Sequence, residues 1–150
     1  MITMSPDKLF TLELKREYAV SAKRMFEAWT KPEQFKMWMG PKGYQVAIEE
    51  MNVEAKGTYR LVMENAEGQK HVLVGKYLEV MPNEKLVFTW KWESDEQEFP
   101  ETVVTVLFKE ISEKSMELAI VHDCLPSEEA AQNHNQGWSS TLDDKLATYF

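Results

Sequence analysis

From Tyr44 onward the hydrophobic pattern takes a period of two and keeps it for about 80 residues, a feature that few folds can accommodate. Tyr44/Val46/Ile48, Tyr59/Leu61/Met63, Leu86/Phe88/Trp90/Trp92, Val104/Val106/Phe108 and Met116/Leu118/Ile120 are each one face of a predicted strand. Turn signals separate them: Gly57, Glu67-Gly68, Pro82-Asn83, the acidic stretch from Glu93 to Glu101 around Pro100, and Glu113-Lys114. Short links favour hairpins, so the sheet is expected to be antiparallel and meandering.

On either side of this run the period differs. Leu9 to Tyr18 alternates as one more strand, with Phe10, Leu12 and Leu14 on one face. Ser21 is placed to cap a short helix carrying Ala22, Met25, Phe26 and Trp29 at helical spacing. Thr30-Lys31-Pro32-Glu33 reads as a second start, with Thr30 as N-cap, Glu33 completing a capping box and Pro32 in the first turn, and Gly40-Pro41 ends that helix. After Pro126 the helical period returns: Ser127 caps, Glu128 and Glu129 suit the positive end of the helix dipole, and Ala131, His134, Trp138, Leu142 and Leu146 form one stripe. Such a stripe is expected to lie on the sheet. Gly137 stands inside this helix at a cost of about 1 kcal/mol relative to Ala, which is either tolerated or marks a bend or a close approach to the backbone.

Length and charge then bound the function classes. At 150 residues the chain is expected to form one α+β domain over 9–150 behind a short tail at 1–8. The net charge of −8 removes the electrostatic footprint of a nucleic-acid binder. Residues 93–150 hold 13 acidic and 3 basic side chains, which suits either the steering of a basic protein partner or a solvated surface that keeps the chain in solution. The single cysteine, Cys124, forms no internal disulfide, the start lacks a basic region followed by an apolar stretch, and no run approaches a membrane span; a cytoplasmic protein is expected.

The stretch Val20-Ser21-Ala22-Lys23-Arg24-Met25-Phe26-Glu27-Ala28-Trp29-Thr30-Lys31-Pro32-Glu33 with Trp38-Met39-Gly40-Pro41 resembles the start of the family named for homologues of the Hsp90 ATPase activator, within the START/Bet v 1-like, polyketide-cyclase-related superfamily. Gly75 to Val80, Glu84 to Trp90 and His134-Asn135-Gln136-Gly137-Trp138 are similar to its later landmarks. The resemblance implies a helix-grip fold, a curved antiparallel sheet around a long C-terminal helix, with an internal cavity for an apolar or aromatic ligand or a lipid. It does not imply chaperone activation, since eukaryotic activators add an N-terminal domain and only about eight residues precede the first strand here. Where many members carry an Asp-x-Arg-x-Gly-Gly turn, this chain reads Asn52-Val53-Glu54-Ala55-Lys56-Gly57, without the acid and the arginine.

Within that fold the candidate lining is aromatic and flexible: Phe26, Trp29, Trp38, Phe88, Trp90 and Trp138, with Met63, Met116 and Leu142. Any one of these residues would serve equally well as core. His122, His134 and Tyr77 are the polar candidates for orienting a ligand; each histidine could instead be a satisfied core residue or a proton carrier in cyclase-, aromatase- or hydrolase-like chemistry. His122-Asp123-Cys124 with a distant His134 lacks the paired spacing of a zinc site, the acidic stretch lacks the glycine of a calcium loop, and no catalytic, metal or cofactor motif appears. The expected partner is therefore a small hydrophobic molecule, with the chain a monomer or weak homodimer. The Gly40 to Gly43 turn and the start of the last helix are the expected way in.

Overall fold

The computed structural model describes residues 2–4, 9–94 and 98–150. Eight strands form one sheet in the order β1 (Ile2–Met4), β2 (Phe10–Tyr18), β8 (Ser115–Leu125), β7 (Thr102–Ser112), β6 (Lys85–Glu93), β5 (Lys70–Met81), β4 (Thr58–Asn65), β3 (Tyr44–Met51). Every neighbouring pair is antiparallel. The helices are α1 (Ala22–Thr30), α2 (Pro32–Trp38) and α3 (Glu128–Ser140), the last continuing through a π-helical segment (Thr141–Leu146) into α4 (Ala147–Tyr149). This is the helix-grip architecture, with the sheet curved around the C-terminal helix. Within the span read as a tail, Ile2–Met4 adds an edge strand to β2.

The alternating faces meet as expected, because burying one side of each strand leaves only one register in which all apolar side chains point inward. Leu12, Val104, Val106, Leu118 and Ile120 on the inner face are fully buried against Met25 and Trp29 of α1 and Trp38 of α2. Each such side chain contributes roughly 1.5–3 kcal/mol by leaving water.

Strand β5 is the element that alternation does not reveal. Its inward positions run Leu73, Gly75, Tyr77, and a bulge between Tyr77 and Glu79 then shifts the register. Gly75 is required because the Tyr59 ring lies over it; Tyr59 Oη donates to the Thr89 carbonyl across that gap. The Asn52–Gly57 turn achieves its reversal without the family's usual residues. Lys56 adopts a left-handed backbone with φ 72°, and a Cβ on Gly57 would stand 2.0 Å from the Asn52 carbonyl oxygen.

Helix α1 starts as expected, the Ser21 Oγ accepting from Arg24 N at 3.1 Å. The start of α2 requires a correction. Thr30 is the last residue of α1 and its hydroxyl donates to the Phe26 carbonyl at 2.8 Å. The N-cap is Lys31, which has φ −93°, ψ 118° and no side-chain cap bond. The ring of Pro32 forces the residue before it out of the helical region, so the break falls at Lys31 rather than at Thr30.

Helix α3 does start at Ser127, whose Oγ accepts from Ala130 N at 3.0 Å. Its irregularity lies one turn beyond Gly137. The wider π turn lets Leu142 and Leu146 stay buried while Asp143 meets Arg16 at 2.8 Å and Tyr18 Oη donates to the Leu142 carbonyl at 2.9 Å.

Candidate functional site

Where α3 crosses the sheet near β6, the two do not close. A cleft of about 220 Å³ is walled by Trp90 and Trp92 of β6, Met63 of β4, the Met39-Gly40-Pro41 turn, and Asn133, His134, Gly137, Trp138 and Thr141 of the C-terminal helix. The alternation of β6 explains the aromatic wall, because residues two apart share a face. Trp90 packs on Trp138 with ring centroids 5.1 Å apart and meets Trp92 edge-on at 5.6 Å. Gly137 is what leaves the floor of the cleft open. A Cβ there would meet only Pro41 Cγ, at 3.9 Å. Past Trp92 the cleft continues between Pro41, Tyr44 and His71, and on the other side a larger depression of about 440 Å³ runs towards Phe99, Leu125 and Ala130.

The two histidines come together, ring centroids 4.8 Å apart, and each is already committed. Trp138 Nε1 donates to His122 Nδ1 at 3.1 Å. The proton of His122 therefore sits on Nε2, which donates to Thr102 Oγ1 at 2.7 Å, and the Thr102 hydroxyl donates on to the Trp90 carbonyl at 3.0 Å. His134 has the opposite tautomer: Trp92 Nε1 donates to its Nε2 at 3.2 Å, and its Nδ1 donates to the Ala130 carbonyl at 2.7 Å. Protonating either ring would set an N–H against an indole N–H. Burial, helped by the neighbouring His134, lowers the pKa of His122 to about 3, and burial lowers that of His134 as well. Both rings are thus neutral braces that fix Trp138 and Trp92 in the cleft wall.

Of the residues singled out from sequence, Met63, Trp90, His134 and Trp138 line the cleft, and His122 stands directly behind Trp138. Phe26, Trp38, Met116 and Leu142 are packed in the core, and Trp29, Tyr77 and Phe88 border only a small void beneath the cleft. Sequence reasoning missed Met39, Trp92, Asn133 and Thr141 as lining. For Trp92 the signal was present, since it shares the inward face of β6 with Trp90. The others reach the cleft only through the packing of α3 against the α2–β3 turn.

That turn is strapped down. Lys145 Nζ donates to the carbonyls of Met39 at 3.0 Å and Tyr44 at 2.9 Å, bracketing it, and Lys42 N donates to Ser140 Oγ at 2.9 Å. Gly40 and Gly43 take φ of 92° and 93° within it. Lys145→Met is expected to release the strap and speed amide exchange at Tyr44 about tenfold, in line with the ~1.4 kcal/mol worth of hydrogen bonds removed. Unchanged protection by hydrogen-exchange NMR would show that the turn is held by other contacts.

Part of the acidic surface is paired internally: Glu49 and Glu93 with Arg60, Asp143 with Arg16. Asp95 and Glu96 of the acidic stretch lie outside the described residues. Among the described residues no group of three His, Cys, Asp or Glu converges as a metal site, and no helix is long and apolar enough to cross a membrane.

A curved antiparallel sheet gripping a C-terminal helix, with an aromatic cleft at their junction, defines a helix-grip protein of the ligand-binding or regulatory kind. The chain belongs to the family of Activator of Hsp90 ATPase homolog 1-like proteins, whose model matches residues 19–150. Its fold is similar to that of a Chromobacterium violaceum protein (27% identity, 91% of this chain and 94% of that one, TM-score 0.83). The AHSA1 protein of Silicibacter pomeroyi is similar at 30% identity over 91% and 94%, with TM-score 0.82. A protein from Arthrobacter aurescens, 18% identical over 95% and 87%, shares the fold with TM-score 0.80. The comparison with curated proteins found no match.

Proposed function

We propose that the protein is a binding module for a small aromatic or apolar molecule, held in the cleft between β6, α3 and the Met39–Pro41 turn. The observation that carries this reading is the cleft itself, about 220 Å³ walled by three tryptophans over a glycine floor. An apolar cavity of about 150 Å³ is enough to hold benzene, so this one suits one or two fused rings better than a long acyl chain. Burial supplies the affinity, and the braced tryptophans supply a preformed shape. The engagement of both histidines as acceptors from indole N–H groups favours binding over proton-transfer chemistry at this site.

Gly137→Leu tests the reading without threatening the fold. The new side chain enters the open cleft, and replacing a helical glycine should raise stability by about 0.5–1 kcal/mol. Binding of 2-ethylnaphthalene, followed by tryptophan fluorescence, is expected to fall at least about tenfold as the leucine takes its volume. Equal binding by the variant, or no response of the parent protein to a panel of fused-ring compounds, would reject the cleft as the site.

A further inference from the structure

Three of the five indole N–H groups have partners: Trp38 donates to the Ala28 carbonyl at 3.0 Å, Trp92 to His134 and Trp138 to His122. Those of Trp29 and Trp90 have none among the described residues, although the two tryptophans are only 2% and 5% exposed. A buried donor left unpaired costs about 1–3 kcal/mol, so two of them in one aromatic cluster call for an explanation. Both residues border the same small void beneath the cleft, about 10 Å³ in volume and at the lower limit for a single water. Met39 and Trp90 border the void and the cleft alike. The partition between them is thus a flexible thioether, beside Gly40 at φ 92°, and one indole ring.

The same surroundings decide which chemistry would satisfy these donors. Tyr59 borders the void too, but its hydroxyl already donates to the Thr89 carbonyl. No Lys or Arg lines either space among the described residues, and burial raises the pKa of both Tyr59 and Tyr77 there, so an anion is penalised. What is missing is a neutral acceptor.

We infer that the ligand carries a neutral hydrogen-bond acceptor, a ketone or ether oxygen, which passes Met39 and accepts from Trp90 Nε1, with Trp29 Nε1 as second donor. This rests on the proposed binding function and names the ligand class for the same site. The apolar body of the ligand stays in the cleft while its oxygen enters the void.

Three probes of one shape test it on the full chain: 2-acetylnaphthalene, 2-ethylnaphthalene and 2-naphthoate. The ketone is expected to bind about tenfold tighter than the hydrocarbon, as one buried hydrogen bond allows, and the carboxylate more weakly than the ketone. With ¹⁵N-labelled tryptophan, the Trp90 indole proton should move downfield with the ketone and stay in place with the hydrocarbon. Trp90→Phe, which also reshapes the cleft wall, should weaken both neutral probes and remove the preference of the ketone over the hydrocarbon; if that variant does not fold, the indole signals of the parent protein decide. Equal affinities with an unmoved Trp90 signal would overturn the inference while leaving the binding function standing, as when a trapped water already serves the donors. Failure of both neutral probes to bind would remove the binding function and this inference with it.

Discussion

Gly75→Ala is expected to destabilise the protein by about 3–4 kcal/mol, a large effect for a single added methyl group. The added Cβ would stand 2.1 Å from the Thr89 carbonyl oxygen and 2.4 Å from Cε2 of Tyr59. Neither neighbour is free to move. The Thr89 oxygen belongs to β6, and the Tyr59 ring is buried between Tyr77 and Phe88 with its hydroxyl bound to that same oxygen. The tyrosine must be expelled or β5 must part from β6, and either loses the buried hydrogen bond as well as the packing. Urea unfolding gives the measurement, and a loss below about 1 kcal/mol would show that the strands separate more readily than close packing permits. Gly137→Ala makes the contrast, with the Pro41 ring in ordinary contact at 3.9 Å instead of backbone at 2.1 Å, and a gain of about 1 kcal/mol expected from helix propensity.

Acidification is expected to remove stability through His122 before most carboxylates titrate. In the unfolded chain the ring takes up a proton near pH 6.5; in the fold it resists until about pH 3, because burial and the Trp138 N–H disfavour the cation. The contribution is therefore complete above pH 6.5 and is lost as pH falls through that window. It amounts to roughly 5 kcal/mol in all, most of it gone by about pH 4. His134, shifted in the same direction, adds to the slope. His122→Asn keeps an acceptor near Trp138 but no titratable ring. It should be less stable than the parent by about 2 kcal/mol at pH 7.5 and clearly less sensitive between pH 6.5 and 4.5. Parallel urea midpoints for the two proteins across that range would show that the sensitivity arises elsewhere.

The parts of the fold that could be read in advance are those where local chemistry and tertiary packing agree. The two-residue period of β4, β6, β7 and β8 and the caps at Ser21 and Ser127 involve only neighbours in sequence, and they hold in the structure. The start of α2 was misplaced because two local rules competed, a capping box at Thr30 and the restriction before Pro32, and the second prevailed. Strand β5 escaped notice for a non-local reason. Its inward glycine answers to a tyrosine 16 positions earlier in the chain, and no window of sequence contains that fact.

The candidate site divides in the same way. Alternation and helical spacing put the candidate tryptophans, methionines, His122 and His134 on the inward faces of their elements, and the helix-grip fold implied by the family resemblance brought those faces together around the last helix. Which aromatic residue is core and which is wall did not follow. Trp29 and Trp38 are as aromatic as Trp90 and Trp92, yet the first pair is buried on the inner faces of α1 and α2 and the second faces the gap beside Gly137. That choice belongs to the angle at which α3 crosses the sheet and to the Lys145 strap that brings Met39 to Pro41 across the chain. Strand and helix faces, and hence the layered architecture, were already set by local order along the chain, because they depend on periods of a few residues. The tertiary structure decided the void, the unpaired indoles and the tautomers of the two histidines, because each depends on which of two similar atoms comes within about 3 Å of a partner more than ten residues away.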